Sequence, residues 1–165
     1  MRLRVGGMTR SELLGELRSR GVLLNSYAET LINHAVFDLR QREEVGIVER
    51  NVGDLGFSTG ATLPQVFARA HEHGLEPCPA DTGPYLRLMM TWQANAPDSV
   101  LSAGRSPTGA LKVACAPVSD DVAFPRGFYL RVVDGQQWLR GFRCDDEYLF
   151  SPEDRFAFRV PEMRQ

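Results

Sequence analysis

The stretch F-Y-L-R-V-V-D-G-Q-Q-W-L-R-G-F-R-C, Phe128 to Cys144, decides how this chain is read. Two runs of alternating apolar and polar residues meet at Asp134-Gly135, a dipeptide suited to a two-residue hairpin turn. With those two as the turn, Val133 faces Gln136, Val132 faces Gln137, Arg131 faces Trp138, Leu130 faces Leu139, Tyr129 faces Arg140 and Phe128 faces Gly141. Directly opposed residues share a face of the sheet. One face is then Phe128, Leu130, Val132 and Leu139, a core face. The other is Tyr129, Arg131, Trp138, Arg140 and Phe142, where arginine alternates with aromatic rings and Arg131 stands beside Trp138 in cation–π geometry.

Outward from the hairpin, L-K-V-A-C-A-P-V (111–118) reads as a strand. Y-L-F (148–150) and R-F-A-F-R-V (155–160) read as one or two more, turned at Pro152. Y-L-R-L-M-M-T-W (85–92) also alternates and reads as a strand, with Leu86, Leu88, Met90 and Trp92 on one face and Tyr85, Arg87 and Met89 on the other. In 155–160, Phe156, Phe158 and Val160 oppose Arg155 and Arg159. If these strands share a sheet, one face collects Arg87, Arg131, Arg140, Arg155 and Arg159 with Tyr85, Tyr129 and Trp138. Residues 93–110, rich in Ala, Pro, Ser and Gly, form a long connection, either an ordered lid or a floppy loop.

The first half carries helix signals. Thr9 and Glu12 make a capping box ahead of Leu13, Leu14 and Leu17, and Gly21 stops the helix. Ser26 and Glu29 repeat the device before Ala28, Leu31, Ile32, Ala35 and Val36, with His34 at the edge of that stripe. E-E-V-G-I-V-E-R-N-V (43–52) reads as a strand burying Val45, Ile47 and Val52. Thr62 and Gln65 cap a third helix, with Pro64 in its first turn, Val66, Phe67 and Ala70 inward, and Gly74 at its end. Residues 1–7 read as an extension without a structural role. The pattern predicts an α+β fold: N-terminal helices packed on a mainly antiparallel C-terminal sheet, in one domain over 1–165.

Composition narrows the function. A hydrophobic content of 43% and a charged content of 24% belong to a globular chain. A net charge of −2 exerts no global pull on nucleic acid or anionic membrane. No run approaches the roughly 18 apolar residues of a membrane span. Cys78, Cys115 and Cys144 are widely spaced and form no CxxC, which points to a reducing cytoplasm. Lys112 is the only lysine; the other 18 of the 19 basic residues are arginine.

Sites are weighed on spacing. In H-E-H-G-L-E-P-C-P-A-D (71–81), His71 and His73 stand two apart on a helix, roughly 200° around its axis, and cannot share a metal. No metal site and no cofactor motif is expected. Gly-rich 53–62 lacks the ending of a phosphate loop, and acidic 145–154 lacks EF-hand spacing. The arginine–aromatic face suits an anionic ligand with a planar part, a nucleotide, an aromatic acid or single-stranded nucleic acid, so the leading reading is a binding domain for a small anion or an acidic partner. Arg87, Arg131, Arg140, Trp138, Tyr129 and Tyr85 are its candidate contacts. The competing reading is an exposed face whose arginine stems cover the rings and whose charges pair with acidic loops. Two other classes stay open: a small enzyme working through Cys78 or the Asp145–Asp146 cluster, and a protein-interaction module. Catalytic residues and oligomeric state are not defined by the sequence.

L-L-N-S-Y-A-E-T-L (23–31), residues 54–88 and residues 127–159 together resemble a family of small bacterial proteins of unassigned activity, across most of 8–160. The hairpin and G-A-T-L-P-Q-V-F with G-L-E-P-C-P are its most specific parts. The family pattern has Pro-Leu-Glu where this chain has Pro79-Ala80-Asp81. Some members bear a helicase label, but this chain has no nucleotide-binding loop and is too short for a helicase motor. The resemblance implies a cytoplasmic bacterial accessory protein and supplies no catalytic residues.

Overall fold

A computed structural model describes residues 1–38, 40–101 and 105–162. In chain order the elements are β1 (Arg2–Val5), α1 (Arg10–Ser19), β2 (Leu23–Leu24), α2 (Ser26–Ile32), β3 (Glu43–Asn51), β4 (Ala61–Thr62), α3 (Leu63–Glu72), α4 (Thr82–Met89), β5 (Leu111–Val113), β6 (Gly127–Val133), β7 (Gln136–Phe142), β8 (Leu149–Phe150) and β9 (Arg155–Val160). Among the described residues no helix is long and apolar enough to cross a membrane.

Local chemistry accounts for most boundaries. Thr9 and Thr62 each accept from the third helical N–H while Glu12 and Gln65 reach back, so both capping boxes form. The cap of α2 is Asn25, not Ser26. Its Oδ1 accepts from Ala28 N–H and from Gly141 N–H, while its Nδ2 donates to the Gly141 carbonyl, at 2.9, 2.8 and 3.0 Å. The amide answers both backbone groups of Gly141 with separate donor and acceptor atoms. α2 also ends sooner than its stripe suggests. His34 Nδ1 accepts from Val36 N–H and starts a 3-10 turn, Ala35–Phe37, which exposes Ala35 and buries Phe37 instead.

Seven strands form one sheet in the order β1-β3-β9-β5-β6-β7-β2, and β4 pairs with β8 separately. The sheet is mostly antiparallel; β5 with β9 and β2 with β7 are parallel. The class is α+β, as expected, though three strands come from the first quarter and the first third of the chain. Residues 2–5 are not a free extension. They form an edge strand against β3 and bury Leu3 and Val5.

Both faces of the sheet are covered, which gives two cores. One face carries Leu3, Val5, Val45, Leu111, Phe128, Leu130 and Leu139 against Leu13 and Leu17 of α1, Leu31 and Ile32 of α2, and Leu86 of α4. The far face carries Val48, Phe156 and Phe158 against Leu63, Val66 and Ala70 of α3 and Phe150 of β8.

The segment 85–92 is the main departure from sequence expectation. Residues 85–89 belong to the helix α4, and 90–92 form no strand. Over a short apolar run, periods of 2 and 3.6 are hard to separate, and Pro84 sits in the first turn, where proline is tolerated. Packing then decides. Gly83 lies so close to β6 that a Cβ there would stand 2.6 Å from the Phe128 Cβ. α4 thus settles into the helical layer.

Candidate functional site

The hairpin forms in the register its sequence dictates, from Val133↔Gln136 to Phe128↔Gly141. Asp134 and Gly135 have φ of 50° and 78°, the left-handed pair such a turn demands. The face bearing Tyr129, Arg131, Trp138, Arg140 and Phe142 is not an open surface. Tyr129, Arg131 and Arg140 are buried and Trp138 is half-buried.

Its cover is made of residues 93–101 and 105–110. β5 spans only three residues, so past Leu111 the last residues of β6 have no strand beside them on that edge. Ala96 N–H donates to the Val132 carbonyl at 2.7 Å and Gln93 Nε2 to the Leu130 carbonyl at 3.0 Å. Arg131, 0% exposed, holds the rest. Its Nε donates to the Thr108 carbonyl (2.8 Å), Nη1 to Val100 (3.0 Å) and Nη2 to Asp98 (2.8 Å). The Asp98 carboxylate lies 3.4 Å from Nη2. Of the two expectations for this segment, its described part meets the ordered-lid one.

Beside that clamp the cover stands off the sheet and leaves a cavity of about 830 Å³. Its floor is Tyr129, Trp138, Arg140 and Phe142 from the hairpin and Lys112 from β5. Tyr27, Tyr148 and Phe150 wall one side; Leu101, Arg105 and Pro107 of the cover close the other. No carboxylate is among the described lining residues, and four cations are. Arg105 and Arg143 are exposed at the rim, with Arg143 stacked over Tyr27 at 4.9 Å. The other two are inside.

Arg140 is 7% exposed, lies 4.2 Å over the Trp138 ring, and has an Nη1 with no hydrogen-bond partner. The cation–π partner of Trp138 is therefore Arg140, two residues along the same strand and face. Arg131, directly across, is drawn off by the three carbonyls of the cover. Lys112 is 2% exposed. Its Nζ lies 5.5 and 5.7 Å from the centres of the Phe150 and Phe156 rings and 3.6 Å from Asp154 Oδ1, beyond hydrogen-bond length, and has no hydrogen-bond partner. Burial pulls its pKa below the usual lysine range, with the Asp154 charge opposing.

The face assembled from sequence comes apart in part. Tyr129, Trp138 and Arg140 do line the cavity; Arg131 shares their face but serves the cover. Arg87 and Tyr85 are on α4 in the helical layer. Arg87 donates to Gln93 Oε1 and the Met90 carbonyl at 2.7 and 2.6 Å, and burial lowers its pKa to about 10. The Tyr85 hydroxyl accepts from Met8 N–H at 3.2 Å. Arg155 and Arg159 face the other way. Lys112 pairs with both Tyr129 and Phe156, so Phe156 and Phe158 share the cavity's face while Arg155 and Arg159 share that of Leu111. They meet Glu49 and Glu43 at 3.0 and 3.8 Å. Lys112 itself is the residue that face-counting missed. Its signal was composition, as the one lysine among arginines.

The other candidates fall to structural roles. Cys78 is buried, donates to the Ala157 carbonyl at 3.6 Å, and burial pushes its thiol pKa far up, the wrong direction for a nucleophile. Asp145 Oδ1 accepts from Glu147 and Tyr148 N–H, both at 2.9 Å, and so forms a turn; Asp146 is exposed. His71 lies in the last turn of α3 and His73 is its C-cap, both exposed. Among the described residues no group of three or more His, Cys, Asp or Glu side chains could hold a metal ion. No protein-family model, curated protein or solved structure matches this chain.

Proposed function

We propose that this protein is a binding domain for a small anionic ligand with a flat apolar body, taken up between the hairpin floor and the cover of residues 93–101 and 105–110. The observation that carries the reading is Arg140: a nearly buried guanidinium, oriented by Trp138, lining a cavity without carboxylates, with an Nη that has no partner. A buried charge left unpaired is costly. A ligand carboxylate or phosphate supplies the missing acceptor, and a hydrogen bond to a charged group contributes about 1.5–3 kcal/mol. The rings of Tyr129, Trp138 and Phe142 suit a planar body, and the cavity volume lies within the usual range for small-molecule sites. The cover overhangs one side of the cavity, which favours a compact ligand over an oligonucleotide. We place the protein in a bacterial cytoplasm, on the resemblance stated above and on its three free cysteines.

The test is a melting-temperature screen with benzoate, nucleoside monophosphates and short oligonucleotides. At this chain length each kcal/mol of binding stabilisation raises the midpoint by about 2–4 °C. We expect a shift with a small planar anion, lost in Arg140→Gln while that variant stays folded by circular dichroism. No shift from any of these anions, or an equal shift in Arg140→Gln, would overturn the proposal.

A further inference from the structure

Lys112 stands out even within this cavity. Every other basic side chain of the sequence is arginine, so a cation alone did not require a lysine here. The two differ chemically: a guanidinium stays protonated and is no nucleophile, whereas a desolvated ammonium readily gives up its proton. The Lys112 amine is packed beside Phe150 and Phe156, has no hydrogen-bond partner and only a long ion pair with Asp154 at 3.6 Å, and belongs to the floor of a cavity that also holds Arg140, a cation with no ion-pair partner among the described residues. A lysine desolvated in an apolar pocket near another cation is the environment in which amines attack carbonyl carbons.

We infer that Lys112 captures the carbonyl group of an aldehyde or ketone whose anionic end is held by Arg140, and forms a reversible imine with it. The inference rests on the anion-site reading above and specifies its ligand as a carbonyl compound. The lone pair of the neutral Nζ attacks the carbonyl carbon, and the C=O π electrons move to oxygen. One N–H proton passes to that oxygen, giving a carbinolamine. The hydroxyl then leaves with the second N–H proton as water, and a C=N bond remains. One carbonyl and one amine become one imine and one water, with no change of oxidation state. Asp154 Oδ1, 3.6 Å from Nζ, is placed to hold the proton between these steps; its other oxygen is anchored by Ser151 N–H at 2.8 Å. Burial, which favours the neutral amine, acts in the same direction.

The experiment treats the whole chain with 4-carboxybenzaldehyde and sodium cyanoborohydride at neutral pH and locates adducts by peptide mass mapping. The Met1 α-amine serves as internal reference, and uncharged benzaldehyde as the control reagent. Relative to Met1, labelling of Lys112 is expected to favour the carboxylated aldehyde by about tenfold, the factor that one charge-assisted hydrogen bond supplies. Arg140→Gln should lose that preference while labelling of Met1 stays the same. Lys112→Arg should carry no adduct beyond Met1. Labelling of Met1 with Lys112 untouched overturns the inference, and so does equal labelling of Lys112 by both aldehydes. Benzoate, which has no carbonyl to condense, separates the two failures. If benzoate raises the melting temperature while Lys112 stays unlabelled, the anion site stands and the imine falls.

Discussion

Arg131 and Arg140 lie on one sheet face and do different work, because of what each nitrogen touches. Arg131 has carbonyl acceptors on all its nitrogens and holds the cover down; Arg140 lines the cavity and has a buried Nη1 without a hydrogen-bond partner. As an exposed cation–π pair, Arg131 would contribute only about 0.5–1 kcal/mol. As a buried clamp it should matter more: Arg131→Ala is expected to cost upward of about 1.5–3 kcal/mol in urea unfolding and to make residues 96–101 and 105–108 sensitive to protease. Arg140→Gln should leave that segment resistant. Lys112 brings a pH dependence of definite sign. Its folded pKa is depressed, so its contribution to stability is fully present above the ordinary lysine value of about 10.4 and is lost as pH falls through the folded value. The stability of wild type relative to Lys112→Met should therefore improve as pH rises from 7 toward 11. A difference that is flat with pH, measured by urea unfolding, would contradict the burial-driven shift.

At the scale of elements, the hairpin and α4 form a contrast. The hairpin needs nothing beyond its own residues: a two-residue turn with both φ values positive and an alternation that sets the register. Leu130 and Leu139 are opposed and both 0% exposed, so Leu130→Ala should cost about 2–5 kcal/mol by thermal or chemical unfolding. For α4 the partner is decisive. Its packing depends on Gly83 against Phe128, and Gly83→Ala should cost about 1–3 kcal/mol, since the ring has no room to retreat in a close-packed core. A melting temperature unchanged in Gly83→Ala would show that the contact is loose. Ten residues on, Gln93 accepts from Arg87 of α4 and donates to the Leu130 carbonyl of β6, tying the end of this helix to the start of the cover.

For the whole molecule, one sheet separates two cores, and the cavity lies where the far layer of α3, β4 and β8 gives way to the cover. Ligand binding should therefore slow amide hydrogen exchange in the described parts of 96–110 and around Phe142 and Arg143, with little change in β1 or β3; protection spread evenly over the sheet would point to another site. Much of this was legible in the residues alone. Caps at Thr9 and Thr62, the hairpin register, and the placement of Tyr129, Trp138 and Arg140 on one face all follow from interactions spanning a few residues, which local sequence determines by itself. Strand order was not so determined. Only the pairing of Lys112 with both Tyr129 and Phe156 sends Arg155 and Arg159 to the opposite face, since a one-residue change of register reverses every side chain of a strand. The helical state of 82–89 and the joining of 2–5 to β3 were likewise settled by tertiary packing, because short segments have weak preferences that burial overrides. The enclosure of Arg131 depends on a cover drawn from residues 93–101 and 105–110, distant in sequence from the hairpin. Only the folded chain sets which cations are clamped and which face the cavity.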